Sequence, residues 1–293
     1  MRIDLHTHSD RSDGTTSPAE LVRHAVERRM DVLAITDHDT TAGWAQATEA
    51  ALEAGLTLVR GLEVSCKLAG HGVHLLAYLP DPTYESLAHE LERILDGRNA
   101  RLPATLDKLR DIGIDIEESD VRRIAGDAAA MGRPHVADAL VDLGVVEHRG
   151  QAFDSYLGSR GPAYVHRYAA PLEAMIGVVA EAGGVSVIAH PWAKRHNFDA
   201  LDEEGLAALK DLGLSGIEVD HQDHDARTRD TLRGIARNLD LVVTGSSDFH
   251  GDGKVDHDIG CNLTDPEEYA RLVELARDAA RVAGRSTPEV LAP

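Results

Sequence analysis

Histidine and carboxylate residues stand in short clusters along this chain, and their types suit metal binding. The chain contains 16 histidines, and the pair in His6-Thr7-His8 follows a short aliphatic run near the start. If that run is a strand, alternation places His6 and His8 on the same side. Two imidazoles on one face form half a site for Zn, Fe or Mn. Asp13 follows in a polar loop. One such pair alone is weak evidence, because most His-x-His pairs are structural.

The same kind of cluster recurs after or within later aliphatic runs. In a parallel barrel the carboxyl ends of the strands face one rim, where active sites are built. Six clusters at one rim are poorly explained as structural or surface residues with no shared function, so we predict a metal site there. Beyond the first pair, the clusters are Thr36-Asp37-His38-Asp39, Glu63, His74, His190-Pro191 and Ser247-Asp248-Phe249-His250.

Seven aliphatic runs predict the strands that would position these side chains. Stretches with helical periodicity separate most of the runs, which favours a barrel or a doubly wound sheet. The segment Val64–His71 is too short for a crossover helix, so we expect the third and fourth strands to pair differently. The predicted strands are Arg2–Leu5, Asp31–Thr36, Thr57–Leu62, Gly72–Tyr78, Val185–Ala189, Gly216–Val219 and Leu241–Thr244.

The stretch from residue 81 to 164 interrupts the alternation of strands and helices. It is predicted to be nearly all helix, with helices at Ser86–Leu95, Leu102–Ile112 and Val136–Leu143. We therefore predict a barrel domain from residues 1–80 and 165–293, with a helical insertion subdomain at 81–164 over the rim. A closing helix is predicted at Pro266–Ala283.

Composition limits the function. The formal net charge is −20, from 50 acidic and 30 basic residues, which disfavours extended nucleic-acid binding. A small phosphorylated substrate remains compatible with this charge if metal ions make the electrostatic potential positive at the site.

Cys66 and Cys261 form no disulfide framework and are expected to be free thiols in a reducing compartment. The N-terminus lacks the apolar core of a signal peptide, and no run is long enough to span a membrane. We expect a cytoplasmic protein.

Taken together, the clusters resemble the PHP (polymerase and histidinol phosphatase) superfamily. The motifs that match are His6-Thr7-His8 with Asp13, Thr36-Asp37-His38, His190-Pro191 and Asp248-Phe249-His250. The family's further ligands, a glutamate and a histidine, fall on Glu63 and His74. The resemblance implies a distorted (β/α)7 TIM-like barrel with a trinuclear metal centre of Mn, Zn or Fe.

The resemblance also implies how the ligands divide among neighbouring ions. His6, His8, Glu63 and Asp248 would hold the first ion. Asp13, His38 and His250 would belong to the second, and Glu63, His74 and His190 would surround the third. Asp248 would also be required for catalysis.

The chain is similar, more narrowly, to a nucleotide phosphoesterase branch whose insertion carries a GRPH motif. That motif matches Gly132-Arg133-Pro134-His135 here, and implies that Arg133 and His135 bind phosphate above the metals. A guanidinium matches phosphate oxygens in a bidentate way. The alternative is that Arg133 caps a helix or pairs with a surface acid.

His221 matches a further motif of this branch, E-x-Y-H, although Asp220 replaces the usual tyrosine. His221 would bind phosphate or donate a proton, and a structural histidine is the alternative. His196 could line the mouth of the site. His24, His89, His148 and His257 are expected to face solvent.

The resemblance implies hydrolysis of a phosphate monoester of a small nucleotide, such as a 3′,5′-bisphosphonucleotide (pAp) or AMP, by a metal-activated hydroxide. No membrane or protein partner is implied. Alternatives are a 5′-3′ exoribonuclease on short RNA, a histidinol-phosphate phosphatase and a non-catalytic metal-stabilised module. The insertion argues against histidinol phosphate, and the complete ligand set argues against a non-catalytic role. An amidohydrolase of C–N bonds would be expected to carry a bridging lysine, where Glu63 stands here.

Overall fold

A computed structural model describes residues 1–193 and 199–286 of the chain. The strands are short and apolar, and β2 and β6 are buried along their whole length, as expected of strands covered on both faces. The eight strands are β1 (Ile3–Asp4), β2 (Val32–Ile35), β3 (Thr57–Leu68), β4 (His71–Tyr78), β5 (Ala170–Pro171), β6 (Val185–Ile188), β7 (Gly216–Asp220) and β8 (Val242–Gly245).

Ten α-helices accompany the strands in the described part of the chain. The first begins with the predicted capping box, in which the Ser17 side chain accepts from the Glu20 backbone N–H. Among the described residues, no helix is long and apolar enough to cross a membrane. The helices are α1 (Pro18–Glu27), α2 (Trp44–Ala54), α3 (Glu85–Asp111), α4 (Glu118–Ala125), α5 (Arg133–Asp142), α6 (Arg149–Ala152), α7 (Leu172–Glu181), α8 (Glu203–Asp211), α9 (Ala226–Asn238) and α10 (Pro266–Val282).

The sheet runs in the order β1-β2-β3-β4-β6-β7-β8, with the short β5 paired to β3. Neighbouring strands in the sheet are parallel, except that β4 is antiparallel to both β3 and β6. Ala69 and Gly70 connect β3 to β4, and both have positive φ, 46° and 83°, as a tight two-residue hairpin requires. The expectation that the third and fourth strands pair differently is confirmed.

The two outer strands of this order, β1 and β8, nearly meet. A bridge joins Thr7 to Phe249, and the His8 backbone N–H donates to the Phe249 carbonyl at 2.9 Å. The sheet is therefore a nearly closed barrel, which confirms the predicted distorted α/β barrel and its seven main strands. One face of the strands packs with α10 around Tyr78 and Leu76. The other face packs under α1, α2, α7, α8, α9 and the first half of α3.

The insertion contains one long helix where two were predicted. α3 runs unbroken for 27 residues and contains Pro103. Residues 96–101, between the two predicted helices, are helical as well, and Arg98 and Arg101 among them are buried at 8% and 6% exposure. These arginines face the rest of the protein, so their polarity does not mark a loop.

The far end of the insertion has a hydrophobic cluster of its own, which includes Leu106, Val121 and Leu140. The first half of α3 instead packs into the barrel's outer layer through Leu87 and Ile94. The boundary at 81–164 stays a prediction. The separate cluster fits a subdomain that is attached to the barrel through α3.

Candidate metal centre

His6 and His8 lie just beyond β1 and face each other across the rim. Their Nε2 atoms are 3.0 Å apart, and each lies 3.2 Å from Oε2 of Glu63. Both imidazoles are fully buried. The same-side placement inferred from strand alternation is present.

Glu63, on β3, is the carboxylate around which the imidazoles gather. Its Oε2 lies 3.1 Å from His38 Nδ1, and its Oε1 lies 2.8 Å from His74 Nδ1 and 3.2 Å from His190 Nε2. Burial alone would raise the pKa of Glu63, but the surrounding histidines, His38 foremost, hold it well below its usual range. Glu63 is therefore an anion suited to bridging cations.

Asp13 approaches from the loop after β1. Its Oδ1 lies 3.3 Å from His250 Nε2, and its Oδ2 lies 3.7 Å from His38 Nε2. Asp37 holds this loop in place, because its Oδ1 accepts from the Ser12 hydroxyl at 2.7 Å. The aspartate of the Thr36-Asp37-His38 motif thus supports the loop that carries Asp13.

Asp248 follows β8 in a left-handed conformation, with φ of 53°. Its Oδ1 lies 3.5 Å from the Nε2 atoms of His6 and His8 and 3.4 Å from His250 Nδ1. A non-glycine residue in this conformation is strained, and such strain often marks functional sites. All nine predicted ligands therefore come together at one rim of the barrel.

These donors fit divalent metal ions. His38 Nδ1, His74 Nδ1 and Asp248 Oδ1 are buried without a hydrogen-bond partner. Ligand atoms on one tetrahedral ion with bonds of about 2.1 Å lie about 3.4 Å apart, close to the separations seen here. Among the described residues, four groups of donors lie within 4.8 Å of one another: His8 with Asp13, His38 and His250; His6 with His8 and Asp248; His38 with Glu63 and His74; and His221 with Asp248 and His257, a group that the sequence analysis did not predict.

The first three groups resemble the predicted division but share His8 and His38 between neighbours. The imidazole–carboxylate chemistry suits Zn, Mn or Fe. Which residue binds which ion stays a prediction.

Glu218, on β7, is the glutamate of the E-x-Y-H motif, and the sequence analysis assigned it no role in the site. Its Oε1 lies 3.1 Å from His6 Nδ1, and its Oε2 accepts from the His190 backbone N–H at 2.9 Å. Burial opposes its ionisation, yet the charge of His6 lowers the pKa of Glu218 to about 2. Its position near the end of the predicted strand Gly216–Val219 is the signal that could have indicated this role.

His221 is fully buried beside Asp248. Its Nε2 lies 3.2 Å from Asp248 Oδ2, and its Nδ1 accepts from the Asp223 backbone N–H at 3.1 Å. Because Nδ1 accepts, the proton is assigned to Nε2, which donates towards Asp248. Asp220, in the place of the usual tyrosine, accepts from Arg233.

The loop after Asp248 brings two further groups to the site. The Lys254 ammonium donates to Asp248 Oδ2. His257 is half-buried, its Nε2 is enclosed without a hydrogen-bond partner, and its ring lies 5.7 Å from that of His221. The expectation that His257 faces solvent is therefore wrong, because the loop folds back over Asp248.

The remaining histidines differ in their surroundings. His89 and His148 are exposed as expected, whereas His24 is partly buried with its ring edge-on to Phe249. His196 lies outside the described residues.

The insertion places His135 next to the metal centre. A narrow cleft between insertion and rim is lined by His135, Asp13, His38 and Arg98, among others. His135 Nδ1 accepts from the Gly132 backbone N–H at 3.0 Å. Burial lowers the pKa of His135, while Asp13 and a hydrogen bond with the Ser12 backbone oppose the shift.

Arg133 begins α5 and is packed within the insertion. Its guanidinium donates to the Leu157 carbonyl at 2.9 Å and lies 5.6 Å from the Phe153 ring and 5.3 Å from the Tyr164 ring. Arg98 is its cationic neighbour. Among the described residues Arg133 pairs with no surface acid, and its bond to the last carbonyl of the helical turn Phe153–Leu157 fits the alternative that it caps a helix.

Comparisons with known proteins match this chain along most of its length. The family described as PHP domain matches residues 4–104. A 3′,5′-nucleoside bisphosphate phosphatase of Chromobacterium violaceum is 34% identical, over 88% of this chain and 90% of that protein. A 5′-3′ exoribonuclease of Haemophilus influenzae is 35% identical, over 85% of this chain and 90% of that protein. A Bifidobacterium adolescentis protein, assigned by inference to the metal-dependent phosphoesterases, has a crystal structure that matches with a TM-score of 0.89 at 36% identity, over 93% and 96% of the two chains.

Proposed function

Since this chain belongs to the PHP domain family and is a metal-dependent phosphoesterase, we propose that its rim centre hydrolyses a phosphate monoester of a small nucleotide, such as a 3′,5′-bisphosphonucleotide or AMP. The observation that carries the proposal is the gathering of imidazoles around the buried carboxylate of Glu63. The 34% identity to a nucleoside bisphosphate phosphatase supports the choice of a nucleotide.

Two or three divalent ions, Mn, Zn or Fe, would be held by nine residues of this centre. When bound, such ions supply a hydroxide near neutral pH and polarise the phosphate oxygens. Glu63 and Asp248, both anionic and both within 3.5 Å of the Nε2 atoms of His6 and His8, would bind cations together with these imidazoles. The nine residues are His6, His8, Asp13, His38, Glu63, His74, His190, Asp248 and His250.

Three residues would act on the substrate. His221 would orient Asp248 through its Nε2 proton and then donate that proton to the leaving oxygen. Arg133 and His135 would face the phosphate from the insertion and offset its charge. Water would lose a proton and add to phosphorus, the bond between phosphorus and the nucleoside oxygen would break, and that oxygen would take the Nε2 proton of His221, which water would then restore.

The insertion, residues 81–164, would select the substrate. It forms one wall of the cleft that leads to Asp13 and His38. A second candidate function is 5′-3′ exoribonuclease activity on short RNA, which the Haemophilus influenzae relative favours. The net charge of −20 disfavours long polyanions, so a small nucleotide is the preferred substrate.

The proposal is tested by phosphate release from 3′,5′-ADP, 5′-AMP and histidinol phosphate, with Mn²⁺ added. We expect rapid release from 3′,5′-ADP and little from histidinol phosphate. Asp248→Asn is the control, because it should abolish both release and metal binding. Metal-replete protein that releases phosphate from none of the three would refute the monoesterase proposal. Assays with short 5′-phosphorylated RNA would then test the second candidate.

A further inference from the structure

The helical insertion holds the loop that follows β1. The Ala129 backbone N–H donates to the Arg11 carbonyl at 2.9 Å, and His135 forms a hydrogen bond with the Ser12 backbone. The next residue is Asp13, which lies farther along the chain from its strand than any other predicted metal ligand. The strand alone therefore does not fix this ligand, and the contacts from the insertion contribute to its position.

Arg149, at the start of α6, makes the contact to Asp13 itself. Its Nη1 donates to the Asp13 carbonyl at 3.1 Å. Its Nε and Nη2 donate to the two carboxylate oxygens of Asp138 on α5, the first at 2.7 Å. A bidentate pair of this kind fixes the plane of the guanidinium. The insertion thus holds Arg149 in one orientation, with its third nitrogen directed at the barrel.

The loop after β8 also contacts this guanidinium. A Cβ atom added at Gly253 would lie 2.6 Å from Cζ of Arg149, so the loop can approach this closely only because glycine has no side chain. Lys254, the next residue, donates to Asp248. One side chain of the insertion therefore contacts both the loop that carries Asp13 and the loop that follows Asp248.

The position of Asp13 matters for metal binding. Asp13 is the carboxylate of one donor group, in which it is joined by three histidines. Its two oxygens face different imidazoles, those of His250 and His38, so a shift of the loop would move the carboxylate away from both. Removing a partner that orients a metal ligand typically changes metal affinity by about 10- to 100-fold. Arg149 is such a partner, although it belongs to the insertion and not to the barrel.

We propose that Arg149 is a positioning residue of the metal centre, which holds Asp13 in place for an ion only while the insertion is docked on the barrel. Docking of the insertion and binding of that ion are then linked, so that each stabilises the other. This inference rests on the metal centre of the proposed function and not on the choice of substrate. It gives the insertion a role in assembling the centre, in addition to selecting the substrate.

Arg149→Met tests this proposal, because methionine keeps an extended side chain but removes the hydrogen bonds. The measurement is a Mn²⁺ titration of metal-free protein, followed by the electron paramagnetic resonance signal of free Mn²⁺. We expect one ion to bind about 10- to 100-fold more weakly, while the others bind as in the wild type. Excess Mn²⁺ should restore kcat for 3′,5′-ADP, which a general loss of structure would not allow. Arg122→Met, at an exposed arginine on α4, is the matched control and should leave the titration unchanged.

Gly253→Ala tests the same contact without changing Arg149. The added methyl group would displace the guanidinium, and the backbone at Gly253 permits alanine because its φ is not positive. We expect the same ion to bind more weakly. Gly234→Ala, on α9, is the control, because a Cβ atom there meets no other atom within 4 Å. If Arg149→Met does not fold, the comparison of these two glycine variants decides the question.

An unchanged Mn²⁺ titration in folded Arg149→Met, or an equal weakening of every ion, would overturn the positioning role. Lower stability in urea with unchanged Mn²⁺ affinity would show that Arg149 only anchors the insertion. Wild type that binds Mn²⁺ but releases phosphate from no substrate would refute the proposed function instead. Selective weakening of one ion in Arg149→Met would still support the role of Arg149 in that case.

Discussion

Glu218 determines how His6 faces the metal centre. By accepting from His6 Nδ1, it leaves Nε2 to point towards Glu63 and His8. It also holds the His190 backbone, so one buried carboxylate positions two of the predicted ligands. Such outer contacts orient ligating histidines and raise their basicity.

We therefore expect Glu218→Gln to weaken metal binding by about 10- to 100-fold while the protein stays folded. The glutamine amide keeps the shape but lacks the charge that favours the His6 N–H donor. Competition with a chromophoric chelator measures the metal affinity, and circular dichroism reports the fold. Glu204→Gln, at an exposed position on α8, is the control. Equal metal affinity in the two variants would contradict a positioning role for Glu218.

At the scale of secondary-structure elements, the sequence predicted most of what holds the site. The aliphatic runs located the seven main strands, because strands buried on both faces are apolar along their whole length. The nine ligand positions followed from residue types at strand ends and from the family resemblance. The role of Glu218 was not predicted, because nothing in one sequence shows which buried acid faces which imidazole.

The connection between insertion and barrel could not be predicted in the same way. Arg98 lies between the two helices that were predicted there, and in the structure it pairs with Asp39 on the rim. Only the folded structure shows that this polarity is satisfied internally. α3 is continuous because its polar middle has a partner across the cleft.

The same ion pair gives a prediction about stability. Arg98→Ala would leave the fully buried Asp39 carboxylate without its cation, and should lower the free energy of unfolding by about 3–5 kcal/mol. Urea unfolding provides the measurement. Arg122→Ala, whose partner Glu118 is half exposed, should change the free energy by less than about 1 kcal/mol. Similar losses in the two variants would show that Arg98 does not anchor the insertion.

At the scale of the whole molecule, the seam between β1 and β8 is the part of the barrel with the least backbone pairing. Backbone pairing across it rests on the Thr7–Phe249 bridge, whereas β3 and β4 pair along eight residues. The predicted ligands His6 and His8 on one side and Asp248 on the other lie across this seam. Metal ions held there would cross-link the two ends of the sheet.

Chelation should accordingly destabilise the protein as well as inactivate it. A cross-link that closes a loop of about 240 residues is worth on the order of 5 kcal/mol in chain entropy. We expect a lower Tm in EDTA, and hydrogen exchange that becomes faster in β1 and β8 than in the β3–β4 hairpin. A Tm that does not respond to EDTA, in protein shown to lose its metal, would contradict this role.

The seam also sets the order of events during synthesis. The β3–β4 hairpin pairs residues close in sequence and can form as soon as both strands leave the ribosome. The metal centre cannot, because its predicted ligands extend from His6 to His250 and the last pair, Asp248 and His250, follows β8 in the chain. A nascent chain would therefore have no complete centre until β8 has emerged, which makes metal capture a late step that reports completion of the barrel.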